Sequence, residues 1–322
     1  MVKKNDKIFV AGHRGLVGSA VLRKLKKLNY SNIITVEKKS LDLLDQKKVF
    51  NFFKRKKIKS LIICAAKVGG IKANNIYKAD FIYENLTIQN NLIHGAKINN
   101  ISNLIFLGSS CVYPRLCKQP IKEQYLLNGE LEKTNEAYAV AKIAGIKMCE
   151  SYNRQYGKSH DIDYRSIMPT NLYGPGDNFD PENAMVIPTL MSRIYNGEDP
   201  VVVWGDGSAI RDFAYTRDVA EGTILALHHG TGGRYVNLGS GVGVSIKELV
   251  ETLHDFLGFN YQFDTSKPSG FPRRIMDVSL ARDLIDYNPS TTLRDGLEST
   301  WKWFLENQDE FKHKKNYFSE KN

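Results

Sequence analysis

The first half of the chain alternates short apolar segments with segments in which apolar residues recur every three or four positions. KIFVAG (7–12) is apolar and ends in glycine, which is typical of a buried strand. In 18–29 the apolar residues share one helical face, and Lys and Arg occupy the other. The same patterns predict strands at 32–37, 60–66, 103–110 and 164–169, and helices at 46–57, about 80–98 and about 136–156. Apolar strands alternating with helices indicate a parallel sheet that is covered on both faces.

The pattern changes after residue 173, where Gly, Pro, Asp and Asn become frequent and the apolar segments shorten. Strands are predicted at 200–205, 212–215 and 234–239, and helices at 218–229 and 245–257. We therefore predict an α/β protein with a Rossmann-type doubly wound parallel sheet and a smaller interleaved α/β domain. The predicted division is 1–173 plus about 211–238 for the first domain, and 174–210 plus about 239–322 for the second.

Composition narrows the class of protein without identifying it. The 322 residues are 42% hydrophobic and 25% charged, which is ordinary for a globular protein and excludes a collagen or a disordered chain. No run of 18 apolar residues occurs, and the apolar stretch near the N-terminus is too short for a signal peptide, so we expect a cytoplasmic protein without a membrane partner. The four cysteines have no Cys-x-x-Cys spacing, which predicts reduced thiols and no metal site.

The formal net charge of +10 has two interpretations. A basic surface can attract nucleic acid, or a few cations can serve an anionic small molecule. The lysines are scattered, with short clusters only at 53–59 and at 312–315. We therefore favour a small anionic ligand and expect no nucleic-acid partner.

Three glycines follow the first predicted strand and open the first helix, in the order Gly12, Gly15 and Gly18. In this position one glycine permits a tight turn, one lets the backbone approach a pyrophosphate, and one lets helix and strand pack closely. An ordinary strand-to-helix turn is the alternative. The strand–turn–helix context favours a dinucleotide site.

The charges after the second strand bear on which dinucleotide binds. A carboxylate there favours the ribose 2′-hydroxyl of NAD, whereas Arg or Lys favours the 2′-phosphate of NADP. The chain offers Glu37 for NAD, and Lys38, Lys39 and Arg14 for NADP. Three cations outweigh one carboxylate that can turn away, so we predict NADP(H).

Tyr138 and Lys142 are four residues apart in a predicted helix and therefore share one face. A lysine ammonium near a phenol favours the phenolate and is expected to lower the pKa of Tyr138. Such a tyrosine can protonate a carbonyl oxygen as the carbonyl is reduced. Ser109 follows the fourth strand, at the sheet edge where α/β proteins bind ligands. A surface pair and a turn hydroxyl are the alternatives, but the combination predicts a reductase site.

With these residues the chain resembles the extended short-chain dehydrogenases/reductases, and within them the GDP-L-fucose synthases. The resemblance covers residue 8 to about 215, and more loosely to 278. It lies in GHRGLVG (12–18), AAKVGGIKANN (65–75), ADFIYENL (79–86), GSSCVYP (108–114), TNEAYAVAKIAGIKMCESYNRQYG (134–157), MPTNLYGPGDNF (168–179), VVVWGDG (201–207) and PRRIMDV (272–278).

The resemblance implies roles for residues at matching positions. Tyr138 would be the general acid, Lys142 its ribose-bound partner, and Ser109 the ligand of the sugar ketone. The implied NADP(H) site, besides Tyr138 and Lys142, consists of Gly12, Arg14, Gly15, Leu16, Val17, Gly18, Lys38, Lys39, Ala65, Ala66, Lys67, Pro169, Asn171 and Leu172. The implied ligands of a GDP-linked 4-keto sugar are Ser109, Asn171, Arg193, Trp204, Arg211 and Asp277. For Arg193 a solvated helix position, and for Trp204 a packed core position, are the alternatives.

The family's full reaction epimerises a 4-keto sugar at C3 and C5 with a cysteine and a histidine, and then reduces C4. The cysteine matches Cys111, whereas the histidine position is occupied by Met185. A thioether has no ionisable proton, so Met185 cannot replace an imidazole as an acid. We predict C4 reduction of a GDP-linked 6-deoxyhexose or heptose for a surface polysaccharide, with epimerisation weak or lost and Cys111 then a remnant or a group that shapes the pocket.

Other interpretations remain open from the sequence. One is the full epimerase and reductase activity, which the presence of Cys111 favours. Another is an NADP-binding sensor without turnover. The family also forms dimers through the helix that carries Tyr138, so a homodimer is expected. The apolar residues Ala139, Ile143, Ile146 and Met148 are compatible with such an interface and equally with packing inside the chain.

Overall fold

The computed structural model describes residues 2–180, 183–231 and 233–308, so the basic segment 312–315 lies outside the described residues. The strands are β1 (Ile8–Ala11), β2 (Ile33–Ile34), β3 (Ser60–Ile63), β4 (Asn103–Leu107), β5 (Asp163–Pro169), β6 (Asn171–Tyr173), β7 (Val201–Trp204), β8 (Ile210–Arg211), β9 (Phe213–Tyr215), β10 (Val236–Leu238), β11 (Val244–Ser245), β12 (Tyr261–Asp264) and β13 (Arg273–Arg274). The α-helices are α1 (Leu16–Lys27), α2 (Gln46–Lys56), α3 (Ile71–Ile76), α4 (Lys78–Ile98), α5 (Glu136–His160), α6 (Val186–Tyr195), α7 (Thr216–His229), α8 (Ile246–Leu257), α9 (Ser279–Ile285) and α10 (Leu293–Glu306).

The central sheet is parallel, with the strand order β10-β5-β4-β3-β1-β2. The chain passes from β1 outward to β2 and then returns to place β3 on the other side of β1. This reversal is the topological switch point at which doubly wound sheets bind ligands. The predicted Rossmann-type α/β fold is confirmed.

Burial explains why the apolar segments became strands. All four residues of β1 and of β3 are buried, because helices cover both faces of the sheet. The second strand is much shorter than the predicted 32–37, since β2 forms the edge of the sheet and is only half-buried.

A second group of elements builds a separate apolar core. It contains Tyr173, Phe179 and residues of α6, β7, α8 and α10. The strand β9 lies between the two cores: Phe213 and Tyr215 pack into the second, whereas Ala214 packs into the first. The side chains alternate in this way because neighbouring residues of a strand point to opposite faces.

The helices α4 and α5 pack against each other along one side of the sheet. Ala139, Ile143 and Ile146 are buried there within the chain, and Met148 is half-buried against the same core. Intrachain packing therefore accounts for these residues, and a homodimer stays a prediction. None of the described helices is both long and apolar enough to span a bilayer.

Candidate active site

The glycine-rich loop between β1 and α1 is shaped by contacts that exclude any larger residue. Gly12 has φ +83°, and a Cβ at this position would lie 2.6 Å from the amide nitrogen of Ala65. A Cβ on Gly18 would lie 2.1 Å from the carbonyl oxygen of Gly12. The N-cap of α1 is Gly15, which has no side chain to cap the helix. The loop therefore presents free backbone N–H groups at the positive end of α1, which suits a pyrophosphate.

The residues predicted to select the dinucleotide lie around Glu37. Nε of Arg14 lies 2.8 Å from Oε1 of Glu37, and Nε2 of His13 lies 3.5 Å from the same oxygen. Lys38 and Lys39 are exposed beside them. Because the carboxylate is already paired with Arg14, it competes weakly for a ribose hydroxyl, and the surrounding charge favours a 2′-phosphate.

The segment that follows β3 is fixed from both sides. The amide nitrogen of Lys67 donates to Oδ1 of Asn85 at 3.0 Å, and Nδ2 of Asn85 donates to the carbonyl oxygen of Lys67 at 2.9 Å. Nζ of Lys67 lies 2.5 Å from Glu84 and 3.7 Å from Asp80. The backbone of Ala65, just before this segment, lies against Gly12 of the glycine-rich loop.

Ser109 and Tyr138 come together at the carboxyl end of β4. Ser109 begins a short 3₁₀-helix at 110–112, and its Oγ accepts a hydrogen bond from the amide nitrogen of Cys111 at 3.3 Å. Tyr138 lies in the first turn of α5, close enough to Ser109 for the serine side chain to lower the pKa of Tyr138. The two hydroxyl groups predicted to hold a ketone therefore lie side by side.

Lys142 is one helical turn further along α5 and is 3% exposed. Its Nζ donates to the carbonyl oxygen of Leu107 at 2.7 Å and lies 5.8 Å from the centroid of the Tyr138 ring. Burial lowers the pKa of Lys142 to about 8, although the nearby Cys64 opposes this shift. Desolvation disfavours the ammonium form here because no carboxylate pairs with it among the described residues.

The expected direction of the Tyr138 pKa shift was wrong. Burial raises the pKa of Tyr138 well above its usual value, Cys111 raises it further, and the hydrogen bond from Ser109 lowers it only in part. The charge of Lys142 favours the phenolate, but desolvation of the phenol opposes it and is the larger effect. Tyr138 is accordingly a protonated phenol, the form that a proton donor requires.

Cys111 and Met185 occupy the two positions implied for epimerisation. Cys111 is half-buried, and Nδ2 of Asn135 lies 3.3 Å from its Sγ. Met185 is the N-cap of α6 and is 47% exposed. The residues just before Met185 pack against Gly70, in the loop that follows Lys67. The segment that leads into Met185 therefore contacts the loop that follows β3.

The strand β5 ends at Pro169, and the next residues carry the chain toward the second core. Nδ2 of Asn171 donates to the backbone carbonyl of Asp212 at 3.0 Å, as does Oγ1 of Thr170 at 3.1 Å. Leu172 follows in β6, which pairs with β9. The Asn171 amide is thus engaged in joining the two parts of the chain.

Two of the predicted substrate ligands border the segment 269–271. Trp204 ends β7 and is 66% exposed, so it is not a packed core residue. The residue after it, Gly205, packs against Ser269. Arg211 donates to the carbonyl oxygen of Phe271 at 2.6 Å, and burial together with Arg274 lowers the pKa of Arg211.

The other two predicted ligands are engaged elsewhere. Nε of Arg193 donates to Glu198 at 2.6 Å, and a second, shorter bond makes the ion pair bidentate. A substrate phosphate would have to displace Glu198 to reach this arginine. Asp277 accepts from the amide nitrogen of Ser279 at 2.9 Å and lies 3.9 Å from Lys122.

Sequence reasoning missed Arg274, which is the register partner of Arg211 in the β8–β13 pair. Its guanidinium donates to the carbonyl oxygens of Ser110 at 3.1 Å and Pro114 at 3.4 Å. Neither Arg211 nor Arg274 has a carboxylate partner among the described residues. These two half-buried arginines occupy paired strand positions, close enough for Arg274 to lower the pKa of Arg211, and could together bind an anion with two charged groups. The sequence signal was the pair of arginines at 273–274.

Sequence reasoning also missed Asp212, which is buried and links the second core to the site. Its carboxylate accepts bonds from Ser240 at 2.8 Å and from Met276 at 3.2 Å, and burial raises its pKa. A buried acid adjacent to Arg211 in sequence suggests an ion pair, and only the fold shows that its partners are backbone amides and the hydroxyl of Ser240.

The chain is similar to known enzymes along most of its length. Residues 8–239 match the NAD dependent epimerase/dehydratase family. The chain is 48% identical to a GDP-L-fucose synthase of Escherichia coli (strain K12), over 95% of this chain and 99% of that protein. It is 49% identical to GDP-L-fucose synthase 1 of Arabidopsis thaliana, over 95% of each chain. A solved GDP-mannoheptose C4 reductase from Campylobacter jejuni with NADP bound has a TM-score of 0.86 and 32% identity, covering 95% of this chain and all of that one.

Proposed function

Because the chain belongs to the NAD dependent epimerase/dehydratase family, and within it to the GDP-L-fucose synthases and related GDP-sugar reductases, we propose that it reduces the C4 ketone of a GDP-linked sugar with NADPH. The observation that carries this proposal is the grouping of Ser109, Tyr138 and Lys142 at the carboxyl end of β4, where the Nζ of Lys142 donates to the carbonyl oxygen of Leu107 and lies 5.8 Å from the centroid of the Tyr138 ring.

Ser109, Tyr138 and Lys142 have different roles in the proposed reduction. NADPH, when bound, supplies the hydride, and it would lie on the glycine-rich loop, on 65–67 and near Lys142. Ser109 donates a hydrogen bond to the ketone oxygen and aligns it. Tyr138, a protonated phenol, transfers its proton to the same oxygen as negative charge develops there. The positive charge of Lys142 stabilises the phenolate that this transfer leaves.

The substrate diphosphate is assigned to Arg211 and Arg274. Their guanidiniums are adjacent and lack carboxylate partners among the described residues, so a diphosphate can receive paired charged hydrogen bonds from them. Arg274 also contacts the turn that contains Ser109 through the Ser110 carbonyl. A diphosphate bound there would place the attached sugar near the hydroxyl pair. The exposed ring of Trp204 offers a stacking surface for a base.

We assign this chain weak or no epimerase activity because of Met185. Inversion at a carbon next to a ketone needs a group that removes a proton and a second group that returns one from the opposite face. Cys111 can serve on one face, but Met185 has no ionisable proton. Of the other histidines, His160 ends α5 far from Tyr138, and His228 is bonded to the hydroxyl of Tyr30. Loss of a positioned proton donor costs about 10²–10⁴-fold in rate.

The second candidate is the full activity of a GDP-L-fucose synthase. Two observations favour it: Cys111 is present, and the identity to the Escherichia coli enzyme, 48%, exceeds the 32% identity to the C4 reductase. Overall identity weighs the whole chain equally, whereas the stereochemical outcome depends on one or two side chains at the sugar. For this reason we favour reduction without inversion.

Product structure distinguishes the two candidates. A panel of GDP-linked 4-keto sugars, including a 6-deoxyhexose and a heptose, is incubated with NADPH in D₂O, and the products are analysed by NMR. We expect C4 alcohols that retain the C3 and C5 configuration of the substrate. Efficient deuterium incorporation at both carbons together with inversion would establish the full synthase and contradict our assignment.

A single substitution tests the role assigned to Met185. Met185→His restores an ionisable group at the N-cap of α6, so solvent exchange and inversion at C3 or C5 should rise at least 10-fold while C4 reduction continues. Tyr195→His, which changes an exposed residue of the same helix, is the matched control and should show no such rise. If Met185→His leaves exchange at the level of the control, the residue does not limit epimerisation.

A sensor that binds NADP without turnover is the remaining alternative, and Tyr138→Phe separates it from an enzyme. The phenylalanine keeps the ring but removes the donated proton, so kcat for ketone reduction should fall about 10²–10⁴-fold. Fluorescence titration should show NADPH binding within a few-fold of the unchanged protein. An unaltered kcat would remove Tyr138 from the mechanism.

We further propose that the protein has two domains, forms a homodimer, is located in the cytoplasm and acts in surface-polysaccharide synthesis. The two apolar cores support the division, and the sugar-nucleotide chemistry of the relatives supports the biosynthetic role. Light scattering of the purified protein at micromolar concentration tests the homodimer.

A further inference from the structure

Asn135 occupies the position where α5 begins but does not cap the helix. Asparagine is among the best N-cap residues, because its side-chain oxygen accepts a backbone N–H of the first turn. Here the side chain makes no such bond. Its Nδ2 lies instead 3.3 Å from Sγ of Cys111. The Asn135 side chain therefore faces Sγ of Cys111 and not the first turn of α5.

The carbonyl oxygen of the Asn135 side chain also lacks the partner that a helix N-cap would give it. Its Oδ1 is buried and has no hydrogen-bond partner among the described residues. Leaving a buried carbonyl oxygen unpaired and a helix uncapped are both unfavourable. Both would be avoided if the side chain rotated back to the first turn of α5. The favourable interaction that the observed side-chain conformation makes is the contact with Cys111.

The contact joins two segments that carry the reacting groups. Cys111 follows Ser109 in the turn after β4, and its amide nitrogen is bonded to Ser109 Oγ. Asn135 lies three residues before Tyr138 on α5. A carboxamide can donate to a sulfur through its NH₂ group or accept from an S–H through its oxygen. The pair can therefore stay joined whether the sulfur carries a proton or not.

We propose that Asn135 is a positioning residue that holds the sulfur of Cys111 against the start of α5 and thereby fixes the Ser109–Cys111 turn relative to Tyr138. The residue acts through Cys111 and does not contact the ketone. The proposal rests on the assigned reductase site, but its principal test measures thiol reactivity and requires no turnover. A failure of the proposed function would therefore not be mistaken for a failure of this inference.

Two variants separate positioning from helix capping. Asn135→Ala removes the amide, and Asn135→Ser restores a good N-cap whose hydroxyl is too short to reach the sulfur. Both should increase the alkylation rate of Cys111 by iodoacetamide at fixed pH about three-fold or more, measured by peptide mass spectrometry. The rate at Cys117 in the same samples is the internal control, and Asn128→Ala, outside the site, is the control variant. A wild-type Cys111 rate in Asn135→Ser would overturn the proposal.

Turnover gives a second, independent measurement. Loosening the turn should lower kcat for ketone reduction about 10-fold in Asn135→Ala and in Asn135→Ser, with KM for NADPH within two-fold of wild type. If Asn135 acts through Cys111, adding Asn135→Ala to a Cys111→Ala background should lower kcat no further. A full additional 10-fold loss in that background would show that Asn135 acts by another route and would contradict the proposal.

Discussion

At the scale of single residues, the site depends on the balance between charge and desolvation. Tyr138 and Lys142 lie on one face of α5, as the spacing predicts, but Lys142 is buried and Tyr138 is half-buried, and both are desolvated. Burial raises the pKa of the phenol and lowers that of the ammonium, so each group is shifted toward its neutral form. This state suits a reductase, because the tyrosine must hold its proton until a ketone oxygen can take it.

The lowered pKa of Lys142 makes a prediction about stability. In the folded protein this pKa is about 8, against a usual value of 10.5. Between these two values the unfolded chain binds more protons than the folded one, so stability attributable to Lys142 rises with pH across pH 8–10.5. Below pH 8 both states are protonated, and the cost of the buried charge is constant.

Denaturant unfolding at several pH values tests this prediction. The free energy of unfolding of the wild type minus that of Lys142→Met should increase by on the order of 1 kcal/mol per pH unit between pH 8 and 10.5. Lys158→Met, at an exposed position near the end of the same helix, controls for the loss of one positive charge. A pH-independent difference for Lys142→Met would show that the buried amine does not titrate in this range.

At the scale of elements, the turn between β1 and α1 decides whether a dinucleotide can bind. Gly12 needs its positive φ, and the space for a side chain is taken by the Ala65 backbone. Gly197, at the end of α6, has a similar φ of +76° but nothing within 4 Å of its Cβ position. The two glycines therefore differ in contact and not in backbone conformation.

This difference defines a matched pair of substitutions. Gly197→Ala should cost about 1–2 kcal/mol of stability through backbone strain alone and leave NADPH affinity unchanged. Gly12→Ala should cost more and weaken NADPH binding at least 10-fold, because Ala65 and the loop must move apart. Thermal unfolding and NADPH titration of both variants measure the two effects. Equal NADPH affinity in the two variants would mean that the loop tolerates the displacement.

The hydrophobic pattern predicted the long strands of the protein but not all of the short ones. Every strand of the central sheet was predicted from its apolar segment, because a strand buried on both faces has a near-continuous apolar sequence. The two-residue strands β8, β11 and β13 were missed, since two residues contain no periodicity. Those short strands carry Arg211 and Arg274, so part of the anion site was invisible at this level.

At the scale of the whole molecule, the site forms where the second group of elements meets the carboxyl ends of the central sheet. Arg274 belongs to β13 but donates to the turn after β4. The backbone carbonyl of Asp212 receives Thr170 and Asn171 from the end of β5. Binding of the proposed diphosphate by the arginines would thereby be linked to the turn that contains Ser109.

This arrangement predicts different effects for the two arginines. Arg211→Met should raise KM for the GDP-sugar about 10–100-fold with little change in kcat, because it removes a charged hydrogen-bond donor from the diphosphate. Arg274→Met should raise KM similarly and also lower kcat, since the Ser110 carbonyl loses its donor. Steady-state kinetics with the sugar varied at saturating NADPH measures both. An unchanged kcat in Arg274→Met would show that the bond from Arg274 to the Ser110 carbonyl does not affect the reduction step.

The sequence by itself determined the alternation of strands and helices, the glycine-rich turn and the common face of Tyr138 and Lys142. Each is a local property, set by periodicity or by the conformational needs of one residue type. Only the tertiary structure decided how strongly each group is desolvated and that Arg274 lies next to Arg211. Those facts depend on contacts between residues distant in the chain, which local pattern does not encode.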